Sequence, residues 1–90
     1  MSGDALGRPE VLDVVRRAVA TVLELDPAAV TEDLRFREDL HADSLGLVEI
    51  VEIVEETRAA KARPGFHIED EDLDGLTTVG EAVDYAAARL

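Results

Sequence analysis

Three groups of residues in this 90-residue chain have types and spacings that could do chemistry: Ser44 within ADSLG, the histidines His41 and His67, and the acidic run over residues 70–81. A serine nucleophile needs a base within hydrogen-bond reach, a third group that orients the base, and donors for the oxyanion. His41 precedes Ser44 by three residues in a stretch without regular pattern, His67 is distant in sequence, and no Gly-x-Ser-x-Gly elbow is present. A hydrolase is therefore disfavoured, and both histidines read as solvent-exposed loop residues. The chain has no cysteine, which removes disulfides, thiolate metal sites and cysteine nucleophiles together and fits a reducing cytoplasm.

The run DEDLDGLTTVGE satisfies an EF-hand spacing, with Asp70, Asp72 and Asp74 at the first, third and fifth positions, Gly75 at the sixth and Glu81 at the twelfth. Its context is poor. Pro64 and Gly65 leave little room for an entering helix, Thr77 stands where an aliphatic residue is normal, and there is no second hand to pair with. A calcium-binding acidic module stays open here as the alternative from another functional class, with no dedicated metal site as the expectation.

The elements that must position these groups follow from apolar periodicity. Apolar residues make up 47% of the chain and aromatics only 3%, so aliphatic side chains and alanine must fill a thin core, as closely crossing helices allow. Val11, Leu12, Val15, Val19, Val22 and Leu23 recur at helical spacing behind Pro9, predicting a first helix over about residues 9–25 that stops ahead of Pro27. TEDLRFREDLHAD then reads as a long ordered loop pinned by Leu34, Phe36 and Leu40. A second helix starts at Asp43 or Ser44, both good capping residues, and runs to about Lys61. A short helix over about 70–74 and a last one over about 78–88, capped by Thr78, complete an all-α chain of one domain, 1–90, with no internal repeat. The amino terminus lacks a basic segment followed by an apolar run, and no stretch is long and apolar enough to span a bilayer, so the chain reads as soluble and unexported.

Stepping about 100° per residue along the second helix places Leu47, Ile50, Val51 and Val54 on one side and Leu45, Glu49, Glu52 and Glu56 on the other. The formal charge of −12 is unevenly spread. From Glu38 to Glu56 there are seven acids and no Lys or Arg. Glutamates at three- and four-residue spacing repel one another, so a merely solvated face would more often include lysines. An aliphatic spot at Leu45 and Val48 rimmed by carboxylates suits a basic protein surface and repels nucleic acid and anionic membrane. Ser44 at the head of this helix is either an N-cap or a substrate. A phosphoester on its hydroxyl would sit at the positive end of the helix dipole, beside free backbone N–H groups.

Here the sequence resembles a known family. ADSLGLVEIVEIVEE is similar to the Asp-Ser-Leu motif of acyl carrier proteins, and the likeness extends through FREDLHADSL, the acidic second helix and IEDEDLDGLTTVGEAVDY. The resemblance implies a small four-helix bundle of acyl-carrier type, with a long loop between the first two helices and a short third helix. It implies that Ser44 carries 4'-phosphopantetheine, moved from coenzyme A by a phosphopantetheinyl transferase, and that acyl groups ride as thioesters on the arm's thiol in fatty-acid or polyketide biosynthesis. It further implies a carrier that is not itself an enzyme, a cytoplasmic monomer meeting acyltransferase, ketosynthase and other basic-surfaced enzymes. Asp43 and Leu45 flank the serine in the motif a transferase reads, Glu49, Glu55 and Glu56 match acidic docking positions and Val48 an apolar contact, while Glu52 joins the docking face although the family commonly has an apolar residue there; Leu47, Ile50, Val54, Ile68 and Val83 could open to shelter an acyl chain. HADSL lacks the Gly-Gly-His/Asp-Ser form common in peptidyl carriers, which tilts away from an aminoacyl or peptidyl cargo. The connection TRAAKARPGFH is longer than is usual in the family and reads as an extended second helix or an enlarged loop.

Overall fold

A computed structural model describes residues 7–57, 61, 67–73 and 75–89. Its helices are α1 (Arg8–Leu23), α2 (Ser44–Glu55), α3 (Asp70–Leu73) and α4 (Val79–Ala87), with a 3-10 turn at Pro27–Ala29. No strand occurs among the described residues; Arg35 and Thr78 form one isolated antiparallel bridge. Helix α1 is the common support, packing against both α2 and α4. Its buried face is Val11, Val15, Ala18, Val19 and Ala20, small side chains that let helix axes approach closely. Among the described residues, Phe36 is the one aromatic in a buried core otherwise made of Val, Ala, Ile and Leu.

Helix α1 ends at Leu23, about two residues before the predicted stop. Glu24 enters the left-handed region (φ 57°, ψ 48°) and its N–H returns to Ala20 O, so the chain turns before Pro27 can act. Asp26 then caps the 3-10 turn by accepting the Ala28 N–H at 2.9 Å. Helix α2 ends at Glu55 and not near Lys61. The Thr57 hydroxyl donates to Val54 O at 2.7 Å, and the Thr57 N–H bonds the same carbonyl at 3.2 Å, closing the last turn. Lys61 is helical and donates its N–H to Thr57 O at 3.0 Å. The rest of the long connection lies outside the described residues.

The first N–H groups of any helix lack partners within it. In α4 the loop ahead of α2 supplies them: the Val79 N–H donates to Leu34 O and the Gly80 N–H to Glu32 O, each at 2.9 Å. In return the Phe36 N–H donates to Thr77 O at 2.9 Å. The approach is close enough that a Cβ on Gly80 would stand 3.2 Å from Glu32 O. Thr78 adds a capping box: its hydroxyl accepts the Glu81 N–H at 3.1 Å while Glu81 Oε1 accepts the Thr78 N–H at 3.2 Å. Arg8, at the start of α1, bonds Glu32 at 2.5 Å and Asp84 at 2.8 Å, tying α1, the loop and α4 together.

Candidate functional site

The anchored loop decides where α2 begins. Phe36 is 2% exposed, and the Ala42 N–H donates to Phe36 O at 2.7 Å, which brings the chain back over its own anchor. Residue 41 makes the turn with His41 at φ 56°, and buried Ala42 seats the start of the helix. Asp43, not Ser44, is the cap: its Oδ1 accepts the Gly46 N–H at 2.8 Å. Ser44 is therefore the first helical residue. Its side chain is exposed and, among the described residues, its hydroxyl bonds nothing.

Asp43 thus takes the capping role, and among the described residues no hydrogen bond of the fold uses the Ser44 hydroxyl. The Ser44 and Leu45 N–H groups also have no acceptor among the described residues, and they point with the positive end of the α2 dipole. A phosphoester fits such a position: a free alcohol to esterify, unpaired N–H donors and room in solvent. His41 is exposed, and no hydrogen bond links it to Ser44 among the described residues.

The two faces of α2 separate as the helical spacing requires. Leu47, Ile50 and Val54 are buried and Val51 half-buried, whereas Leu45, Val48, Glu49, Glu52 and Glu56 are exposed. Leu45, at 68%, is the most exposed large apolar side chain described. The acids are not equivalent. Arg35 holds Glu38 at 3.1 Å and, through its backbone N–H at 2.8 Å, Asp39. That N–H first, and the guanidinium with it, keeps the Asp39 carboxyl below its ordinary range. Glu55 turns away from the docking face: its Oε2 accepts the Ile68 N–H at 2.9 Å and lies 3.0 Å from His67 Nδ1. Glu49, Glu52 and Glu56 make no ion pair among the described residues. They border a shallow groove with Thr21, Val22 and Ile53, so the acids of α2 overlook the end of α1, a neighbourhood that needs the α1–α2 packing and is invisible to single-helix periodicity.

Helices α2 and α4 both rest on α1, and the space between them is an apolar cavity of about 30 Å³. Leu47, Ile50, Val51 and Val54 wall it from α2 and Ala82, Tyr85 and Ala86 from α4, with Ile68, Leu73 and Leu76 as the roof. Four of the five residues expected to shelter a chain are thus together. Val83 is not among them: it is buried in the core but lies off the cavity wall, because a step of one position on α4 changes the face. Tyr85, which the sequence reading passed over, takes its place. The signal was the single tyrosine of the chain, a ring with a hydroxyl among alanines, where a buried phenol seeks a polar partner.

The calcium spacing does not form a loop. Residues 70–73 are helical and Glu81 lies in α4, its carboxylate occupied by the Thr77 and Thr78 N–H groups. Asp72 accepts the Tyr85 hydroxyl. Asp74 and the Asp70 side chain lie outside the described residues, and among the described residues no three His, Asp or Glu side chains are grouped to hold a metal ion.

A solvent-facing serine at a helix start, set by a loop hydrogen-bonded to α4, with no histidine bonded to it among the described residues and an acidic face beside it, has the form of a carrier scaffold. Comparison with known proteins agrees. Residues 13–86 match the family described as a phosphopantetheine attachment site. An acyl carrier protein of Rubrobacter xylanophilus is 42% identical over 80 residues, covering 89% of this chain and 91% of that one. One from Lactobacillus johnsonii is 37% identical over 76 residues, covering 84% and 88%. A solved acyl carrier protein from Enterococcus faecalis superposes with a TM-score of 0.68 at 33% identity, over 94% of this chain and all of that one. The chain belongs to the phosphopantetheine-attachment family and, within it, to the acyl carrier proteins. Its cofactor is covalently attached 4'-phosphopantetheine and it carries acyl groups for biosynthesis, a reading favoured over the peptidyl and calcium-binding alternatives. No helix among the described residues is long and apolar enough to cross a membrane.

Proposed function

We propose that Ser44 is the attachment point and that the whole chain, 1–90, works as one carrier domain, itself without catalytic activity. The supporting observation is the division of labour between neighbours: Asp43 caps α2 and the Ser44 hydroxyl is left exposed and unbonded. The arm, when bound, supplies the thiol that the cysteine-free chain lacks and holds the acyl group as a thioester. Ser44 supplies the ester oxygen, the first-turn N–H groups face the phosphate, and the anchored loop keeps that position constant. A tether of this kind raises the effective concentration of cargo at each enzyme it meets.

The docking face is Leu45 and Val48 bordered by Glu49, Glu52 and Glu56, with Asp43 beside the serine. Glu55 serves the fold more than the partner. The face suits basic surfaces on a phosphopantetheinyl transferase, an acyltransferase or a ketosynthase, and its charge disfavours nucleic acid and anionic membrane. The protein acts as a cytoplasmic monomer, and the apolar cavity between α2 and α4 shelters the acyl chain as it enlarges.

Intact mass after incubation with coenzyme A and a permissive phosphopantetheinyl transferase tests the attachment point. One phosphopantetheine should be added to the native chain and none to Ser44→Ala; addition that persists in the variant refutes it. Glu49→Lys and Glu56→Lys should weaken transferase binding while leaving helix content unchanged, and added salt should act in the same direction. Insensitivity to both would reduce the acidic face to a solvated surface.

A further inference from the structure

The cavity offers room for roughly one or two water molecules and not for an acyl chain, so sheltering a chain requires one wall to move. Helices α2 and α4 are each seated on α1. The roof, residues 68–73, is held differently. Tyr85 on α4 donates its hydroxyl to the Asp72 carboxylate in α3 and accepts the Glu69 N–H at 3.5 Å. The Arg89 guanidinium stacks on its ring, 3.6 Å from the ring centre. The ring is therefore part of the cavity wall while its hydroxyl fastens the roof to that wall.

We propose that Tyr85 is a chain-length determinant: its hydrogen bond to Asp72 limits how far α3 lifts from α4 and so how many methylenes the cavity accepts. The proposal rests on the reading that this cavity shelters the acyl chain. Tyr85 acts here in two separable ways, as apolar wall through the ring and as fastener through the hydroxyl. Removing the hydroxyl alone leaves the wall and frees the roof. The acceptor side offers an independent route to the same state, since Asp72→Ala breaks the bond from α3 without touching the wall.

The test loads saturated acyl chains of increasing length on the arm and follows thioester cleavage by hydroxylamine, read by intact mass, in the native protein, Tyr85→Phe and Asp72→Ala. In the native protein each sheltered methylene should slow cleavage about fourfold until the cavity is full, after which protection levels off. Both variants should level off at longer chains, with about tenfold more protection of the longest ones, the effect of losing a charge-assisted bond that resists opening. Without any acyl group, the Ile68 and Glu69 amides should exchange hydrogen faster in both variants. Identical length profiles in all three proteins would overturn the proposal. So would a uniform loss of protection at every length, which would make Tyr85 a support of the fold only. No length dependence in the native protein overturns the sheltering reading together with this one, while the mass test at Ser44 stands apart from either result.

Discussion

The segments on either side of α2 are both joined to α4, by different kinds of bond. The loop before α2 is joined through the backbone: Phe36 to Thr77, Val79 to Leu34 and Gly80 to Glu32. The segment after it, residues 67–73, is joined through side chains, Tyr85 to Asp72 and to the Glu69 N–H, with Glu55 holding Ile68 from α2. Backbone pairing survives most substitutions because every residue supplies it, and its geometry is narrow. Side-chain links depend on particular residues and can be exchanged one at a time. The position of Ser44 is set by the first kind of junction, and the apolar cavity between α2 and α4 is closed by the second.

Core truncations should show the contrast most strongly. Phe36→Ala should cost about 3–5 kcal/mol in denaturant unfolding, because its well-anchored surroundings cannot collapse into the void. Leu73→Ala, on the cavity wall in the segment held by side chains, should fall near the low end of the usual range, about 2 kcal/mol. Equal losses at the two sites would erase the difference between the junctions. A smaller effect is expected of Gly80→Val. Its branched side chain would press on Glu32, which already lies 3.2–3.3 Å from a Cβ at this position, at a cost of about 1–3 kcal/mol. The urea midpoint should fall accordingly, and an unchanged midpoint would mean that the loop can yield. Below that comes Thr78→Ala, which opens the capping box at the same junction for about 1 kcal/mol and leaves the phosphopantetheine-accepting competence of the chain intact.

The smallest effects should be those of pH, with opposite signs at the two junctions. The hydrogen bond from Arg8 holds the Glu32 carboxyl below its ordinary range, and Asp39 is held low by the Arg35 N–H. Their stabilisation is present above the ordinary Glu and Asp values, about 4.3 and 3.9, and is lost as pH falls through the lowered folded values. The Tyr85 phenol is pushed up, by burial first and by Asp72 second. Its contribution is complete below the ordinary tyrosine value of about 10 and is lost as pH rises through the raised one. Arg8→Ala should flatten the acid limb of a midpoint-against-pH curve and Tyr85→Phe the alkaline limb. A variant that altered the other limb would break the assignment.

Local pattern made much of this legible beforehand. Steps of about 100° separated Leu47, Ile50 and Val54 from Leu45, Glu49, Glu52 and Glu56, and Thr78 ahead of an apolar run marked the cap of the last helix, without its Glu81 partner. Phe36 stood out as an apolar anchor among charges. What escaped was set by partners distant in the chain. Nothing local says that Glu32 and Leu34 carbonyls complete α4, that Glu55 faces Ile68, or that the α4 wall falls on Tyr85 and not Val83. The choice between Asp43 and Ser44 as cap was open because both types cap well; the loop geometry ahead of them decided it. The end of α2 at Glu55 was equally hidden, since apolar periodicity does not register the return of a threonine hydroxyl to the preceding turn.

The capping of α2 by Asp43 also bears on the life of the protein between tasks. The start of α2 does not draw on the Ser44 hydroxyl, so under the proposed attachment a chain awaiting its arm keeps the same helix cap.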